Sequence, residues 1–418
     1  MMNMRRITRL LLPVLFAALW IIPLRAQAQA YDSQCLRCHG NPELSKTTGD
    51  GKTVSLYVKN ELLKTSAHRK LSCVECHSDL ARETEYPHVL TPKPVECSSC
   101  HTAVGQEVAV SSHWHLTQTD PAGTLNCASC HSAHDVQPAA GSDSPTNRRN
   151  ISKICLGCHA DQEVVPGKGV KVSAYERSIH GMEAFVKGDT TAAICTDCHG
   201  NHKVLPAKNP ASPVYKFSQP QTCGGCHTEP YAQYRQSIHG QAMEKGILDA
   251  PVCTDCHGEH TILAPDSVRS SVSPAHVPET CGRCHENVVL TEKYGIASER
   301  FSTYQSSYHG VANQYGRTVV ANCASCHGYH AILPPTDPTS TIHPANLAGT
   351  CGKCHPNAGE NFAKGKMHVQ ATLQNSPGVF FVRRFYYLFI GGLMGLFILY
   401  MILDYTGFIR RKGSRRNK

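Results

Sequence analysis

The sequence predicts an extended repeat of short helices and irregular loops, closed by one C-terminal membrane-spanning helix. Three observations predict it: a cysteine-rich pentad recurring along the chain, too few residues between pentads for a packed core, and one long uncharged apolar run. The chain has 418 residues, with 22 cysteines and 25 histidines, and only 17% of its residues are charged. Every cysteine falls in a Cys-x-x-Cys-His pentad. None is left for a disulfide framework, a thiol nucleophile or an iron–sulfur cluster.

The pentads are Cys35, Cys38 and His39; Cys73, Cys76 and His77; Cys97, Cys100 and His101; Cys127, Cys130 and His131; Cys155, Cys158 and His159; and Cys195, Cys198 and His199. They continue with Cys223, Cys226 and His227; Cys253, Cys256 and His257; Cys281, Cys284 and His285; Cys323, Cys326 and His327; and Cys351, Cys354 and His355. Two thiols three apart reach the two vinyl positions of one porphyrin, and the next residue brings its imidazole under the iron as proximal ligand. Zinc knuckles or redox Cys-x-x-Cys pairs do not require histidine directly after the second cysteine. Here it follows in all eleven pentads, so the expectation is eleven covalent haems c.

The repeat has a longer period than the pentad. Odd-numbered pentads begin at Cys35, Cys97, Cys155, Cys223, Cys281 and Cys351, giving a two-haem unit of about 60 residues. Tyr175-Glu-Arg-Ser178-Ile-His180-Gly181 recurs at Tyr234 to Gly240 and at Tyr304 to Gly310. A pentad and then Gly-x-His follow each copy, at His202, His260 and His330. A proline-bearing link then leads to Thr-Cys-Gly-x-Cys-His at Thr222, Thr280 and Thr350. Long and short units alternate, which groups the haem region as 31–150, 151–275 and 276–378. The Tyr-x-x-Ser-x-His-Gly stretches are expected as short helices ending at glycine, the links as loops. No segment alternates as a long strand. With about 32 residues per haem the porphyrins must supply the apolar interior, so the fold expected is a chain of haems wrapped by loops and short helices.

The flanks give an address. Residues 1–30 read as a secretory signal, with Arg5, Arg6 and Arg9, an apolar run from Leu10 to Leu24, and Ala28-Gln-Ala30 before Tyr31. Phe385 to Leu403 is a run of 19 uncharged residues, long enough for a hydrocarbon core about 30 Å thick. The anchor is taken as 379–409. Basic residues in 410–418 place that tail in the cytoplasm and the haem region on the periplasmic side. Gly391 and Gly395 would permit close approach of a partner helix. The formal charge of +9 belongs to these flanks: residues 31–382 hold 29 basic and 31 acidic residues. Nucleic-acid binding therefore has no support.

Function turns on the sixth ligand. Fourteen histidines lie outside the pentads. His68, His113, His180, His239 and His309 occupy Ser-x-His contexts, and His368 stands at the equivalent spacing in the last unit. His134, His202, His260 and His330 lie three residues after a pentad histidine. Leu80 takes that place after the second pentad, so His88 is expected to serve the second haem. That makes eleven distal candidates, with His115, His276 and His343 left over. Methionine is not a general alternative, because the haem region holds only Met182, Met243 and Met367, too few for eleven ligands. Mostly bis-histidine haems point to a low-potential chain with no catalytic residue and no open iron.

The pentads together with Ser-x-His-Gly and Cys-x-x-Cys-His-Gly-x-His resemble the multihaem c-type cytochromes built on doubled Cys-x-x-Cys-His units. The resemblance covers 31–368. It implies proximal ligation by the eleven pentad histidines, distal ligation by the eleven candidates, and electron transfer or reduction of nitrite, hydroxylamine or tetrathionate. No pentad here ends in lysine, which departs from the nitrite-reducing relatives. Arg383-Arg384-Phe385-Tyr386-Tyr387 through Asp404 resembles one helix of a membrane cytochrome b, implying a quinol-oxidising or cytochrome b-type neighbour beside other periplasmic cytochromes. The expected function is a membrane-tethered electron conduit; the alternative is a reductase or oxidase of a small nitrogen or sulfur compound at one under-ligated haem.

Overall fold

A computed structural model describes residues 32–49, 51–83, 85–88, 92–114, 125–161, 172–365 and 367–416. The expected signal, 1–30, and His115 lie outside the described residues. The chain forms two compact units. One carries residues up to Gly225 together with Glu259–Ile262, the other Cys226–Gly258 together with Leu263–Lys418.

Among the described residues short helices and loops dominate. The strand content is one antiparallel hairpin, β1 (Ser45–Thr47) and β2 (Thr53–Ser55), in register Lys46 to Val54. Helices fall on the pentads for a local reason. At the even-numbered pentads the residue before the first cysteine is extended, and the residue before the second cysteine caps it. Glu75, Ser129, Asp197, Asp255 and Ser325 accept hydrogen bonds from the backbone N–H of Ser72, Asn126, Ile194, Val252 and Asn322. This is the returning half of a capping box, built inside the spacer between the two cysteines. One helical turn then sets both thiols on one side.

The Tyr-x-x-Ser-x-His-Gly stretch differs from expectation. It is two helical segments joined at serine, and its glycine lies in the first turn of the second segment rather than at an end. Thr228–Gln236 stops at Ser237, and Ile238–Glu244 starts after it; Arg300–Gln305 and Tyr308–Gln314 flank Ser307 similarly. The serine hydroxyl accepts the N–H of Gly181, Gly240 or Gly310 at 3.0–3.2 Å and donates to the carbonyl of Tyr175, Tyr234 or Tyr304 at 2.6 Å. That N-cap bond starts the helix. Glycine is required because a Cβ at Gly240 would lie 2.1 Å from the Tyr234 carbonyl oxygen. The tyrosine hydroxyls donate to Ala193, Pro251 and Ala321, two residues before the next pentad.

The links close on themselves. Ser144, Ser212, Ser270 and Ser340 are buried and donate back to the carbonyls of Gln137, Leu205, Leu263 and Leu333. Thr222, Thr280 and Thr350 each donate at 2.7 Å to the carbonyl nine residues earlier. The buried set is dominated by such serines; the buried apolar residues are few and scattered, among them Leu156, Ile194, Val252 and Val277. Polypeptide alone does not supply a hydrophobic core of the usual kind.

The C-terminal helix runs Pro377–Arg416, 40 residues. At about 1.5 Å per residue it is about 60 Å long, roughly twice the hydrocarbon thickness of a bilayer. The uncharged run sits in its middle. Its apolar side chains are exposed throughout, and it is long and apolar enough to cross a membrane.

Candidate haem-binding sites

Elements described above bring histidines together in twos. In the first unit the ring pairs are His39–His88, His77–His134, His101–His68, His131–His202, His159–His113 and His199–His260. In the second they are His257–His330, His285–His239, His327–His368 and His355–His309. Each pair joins one pentad histidine to one histidine outside the pentads. All ring centres lie 5.9–6.3 Å apart.

An imidazole nitrogen sits about 2.0–2.1 Å from a bound metal and about 1.1 Å from its ring centre, so opposed imidazoles on one ion have centres about 6.2 Å apart. The observed separations fit an iron held between each pair. Among the described residues no group of three or more histidine, cysteine or acidic side chains could hold a metal ion. The donors come in twos, as a porphyrin iron requires.

The partner choice corrects one expectation. His88 faces His39 of the first pentad, not His77; His77 faces His134. The reason is a general offset. His134, His202, His260 and His330 follow even pentads but face the preceding even pentad, while His68, His113, His239 and His309 face the following odd pentad. His88 and His368 fill the places that this offset leaves open near the two ends of the series. His368 therefore faces an even pentad, although its spacing resembles the Ser-x-His class. His180 and His227 also engage neighbours. His276 is bonded to the Val268 carbonyl and His343 to the Ala345 N–H, so both belong to the loop structure.

The two kinds of non-pentad histidine are clipped together. The N–H before the Ser-x-His histidine donates to the carbonyl two residues after the Gly-x-His histidine. The bonds are Ala67 to Val136, Ser112 to Val204, Ile179 to Ile262 and Ile238 to Ile332, at 2.7–2.9 Å.

None of the 22 cysteines is in a disulfide, so every thiol remains available for a thioether. The two thiols of an odd pentad are unequally placed. Its second cysteine is exposed in all six cases: Cys38, Cys100, Cys158, Cys226, Cys284 and Cys354. Its first is half-buried, at Cys35, Cys97, Cys155, Cys223, Cys281 and Cys351. In three even pentads both thiols are half-buried, namely Cys195 with Cys198, Cys253 with Cys256, and Cys323 with Cys326.

Electrostatics favour the neutral imidazoles that ligate metals. Burial, then the facing histidine, pushes His239 and His327 down to about 4. Burial likewise lowers His113, His131, His134, His199, His257, His309, His330 and His368. The thiols mark the order of the pentads. The thiol of Cys35 lies beside that of Cys73, Cys97 beside Cys127 and Cys155 beside Cys195, while Cys76 lies near Cys100 and Cys130 near Cys158. A hydrogen bond between the adjacent thiols of Cys155 and Cys195 pushes Cys155 up and Cys195 down. In the second unit Cys256 lies near Cys281 and Cys284, Cys281 beside Cys323, and Cys326 near Cys351 and Cys354. Neighbours in space are thus neighbours in sequence within each unit.

Comparison with known proteins agrees with this chemistry. Residues 35–120 match the family model of the cytochrome c-type protein NrfB-like proteins, and residues 120–164 match the doubled CXXCH motif. The cytochrome c-type protein NrfB of Escherichia coli O6:H1 is 30% identical over 148 residues, covering 32% of this chain and 69% of that protein. No solved structure matches. These motifs attach c-type haem covalently.

Proposed function

Because the chain belongs to the NrfB-like multihaem c-type cytochromes, we propose that it is a membrane-tethered electron conduit carrying eleven covalent haems, each ligated by two histidines. Electron transfer through several haems is the shared character of the family; the count, the ligand set and the setting are our reading. The observation that carries it is the pairing of pentad with non-pentad histidines at separations that fit one iron.

Haem, once attached, supplies a one-electron Fe(III)/Fe(II) couple, kept at low potential by imidazole on both sides. The chain does the rest. Its pentads hold the thiols of successive sites close together, in sequence order within each unit. Its distal histidines are His68, His88, His113, His134, His180, His202, His239, His260, His309, His330 and His368. They fill the sixth position and so keep nitrite, hydroxylamine or tetrathionate from the irons. Outer-sphere transfer needs no vacant site. The C-terminal helix anchors the haem region on the periplasmic side, beside a quinol-oxidising or cytochrome b-type partner, with other periplasmic cytochromes as acceptors.

Pyridine haemochrome assay with intact mass should give eleven haems, and EPR of the oxidised protein should show low-spin iron only. A high-spin iron, together with rapid cyanide-sensitive reoxidation of the reduced protein by nitrite, hydroxylamine or tetrathionate, would establish the reductase instead.

A further inference from the structure

We propose that Thr303 is a positioning residue for the tenth haem, fixing the tautomer and ring orientation of His368 through its hydroxyl oxygen. The inference rests on the ligation proposed above, for the pair His327–His368, whose ring centres lie 6.3 Å apart.

A proton inventory carries it. Thr303 Oγ1 lies 3.1 Å from His368 Nδ1. A threonine hydroxyl has one proton. That proton is committed to backbone: Oγ1 donates to the Glu299 carbonyl at 2.5 Å, with the Arg300 carbonyl at 3.1 Å. Toward the imidazole the oxygen can therefore only accept. His368 must therefore carry its proton on Nδ1 and donate it to Thr303 Oγ1. A neutral imidazole protonated at Nδ1 keeps its lone pair on Nε2, the nitrogen free to bind iron. Such outer partners set the orientation and basicity of a ligating histidine.

The placement is specific to this histidine. His368 belongs to neither recurrent context, so it lacks both the serine cap that seats His239 and His309 and the Gly-x-His turn that seats His330. Thr303, on the helix Arg300–Gln305, supplies the missing constraint from 65 residues away. His39 has a counterpart in the Leu56 carbonyl, 2.8 Å from its Nδ1. His77 Nδ1, by contrast, is buried without a partner.

The test uses full-length haem-loaded protein and carbon monoxide as the probe of sixth-ligand strength in the reduced state. His368→Ala should let one haem equivalent bind carbon monoxide at once. Thr303→Val, nearly isosteric, should weaken the iron–histidine bond at that single haem by about tenfold, read as carbon monoxide uptake by one equivalent. One low-spin EPR signal should move with it. Thr303→Ser keeps the oxygen and should restore the parent behaviour; Thr303→Ala should match valine. If His368→Ala opens no iron, the ligation itself is wrong. If it opens one and Thr303→Val behaves as parent, Thr303 has no positioning role. Disturbance of several haems by Thr303→Val, or failure of serine to rescue, would also overturn the proposal by marking a general packing effect.

Discussion

The residue that follows four of the five even pentads takes an unusual backbone. Gly200, Gly258 and Gly328 have φ of 80°, 82° and 84°, with ψ near 175°, a region open essentially to glycine alone. After the fourth pentad the same place is held by Ser132, at φ 66° and ψ 173°. The shape is needed because the chain must reverse at once to deliver the histidine two residues on. Serine adopts it under strain, and strained residues of this kind cost of order 1–3 kcal/mol. Ser132→Gly should therefore stabilise the holoprotein by about 1 kcal/mol. Thermal unfolding followed in the Soret region checks this, and an unchanged or lower midpoint would contradict it. The glycine in Gly-x-His could be read from sequence as part of a motif. Its reason could not, because only the backbone angle shows what the motif is for.

At the scale of elements, the two contexts of the non-pentad histidines produce two ring geometries. Histidines from Gly-x-His turns, and their Ser-Ala-His counterpart His134, meet their partners at interplanar angles of 6–36°. Those from the serine-capped segments meet theirs at 47–54°. Two nearly parallel imidazoles donate into the same iron d orbital and split the pair strongly, whereas crossed rings leave it closer to degenerate. EPR of the oxidised protein should accordingly show two low-spin populations, the second less rhombic and with a larger maximal g than the first. A single homogeneous signal would show that the ring angles are not retained. Nine of the distal candidates stood out in the sequence because they recurred in a fixed context, whereas His88 and His368 were chosen by spacing. The pairing was not legible, because most of these histidines face a pentad histidine of a neighbouring repeat, while His88 faces His39 and not the nearer His77. The C-terminal helix was legible from its uncharged run, though only the structure extends it to 40 residues. Ending the chain before Pro377 should yield a haem-loaded protein that leaves the membrane fraction, as fractionation after a salt wash would measure. Retention there would point to a second attachment.

For the whole molecule, an iron held by each of the offset histidine pairs would be a cross-link between repeats; the pair His39–His88 stays within the first repeat. His131 and His202 lie in different two-haem units, 71 positions apart in the chain, and face each other at 6.0 Å. With so few buried apolar side chains, these links and the porphyrins must carry much of the stability. In the chain-entropy model a cross-link closing a loop of about 70 residues contributes about 4 kcal/mol, by restricting the unfolded chain. The contribution depends on a tether, not merely on a filled coordination position. That distinction can be measured. His202→Ala should open the iron of the fourth pentad and lower the stability of the holoprotein by about 3–4 kcal/mol. Free imidazole added in excess should then restore the low-spin spectrum, because it can occupy the sixth position. It should not restore the unfolding midpoint to the parent value, because a free ligand closes no loop and its stabilisation follows only its own concentration and affinity. If imidazole recovers spectrum and midpoint together at modest concentration, ligation matters only locally, and the repeats are held by other contacts. If the spectrum returns and the midpoint stays low, the irons hold the repeats together as well as carrying their electrons.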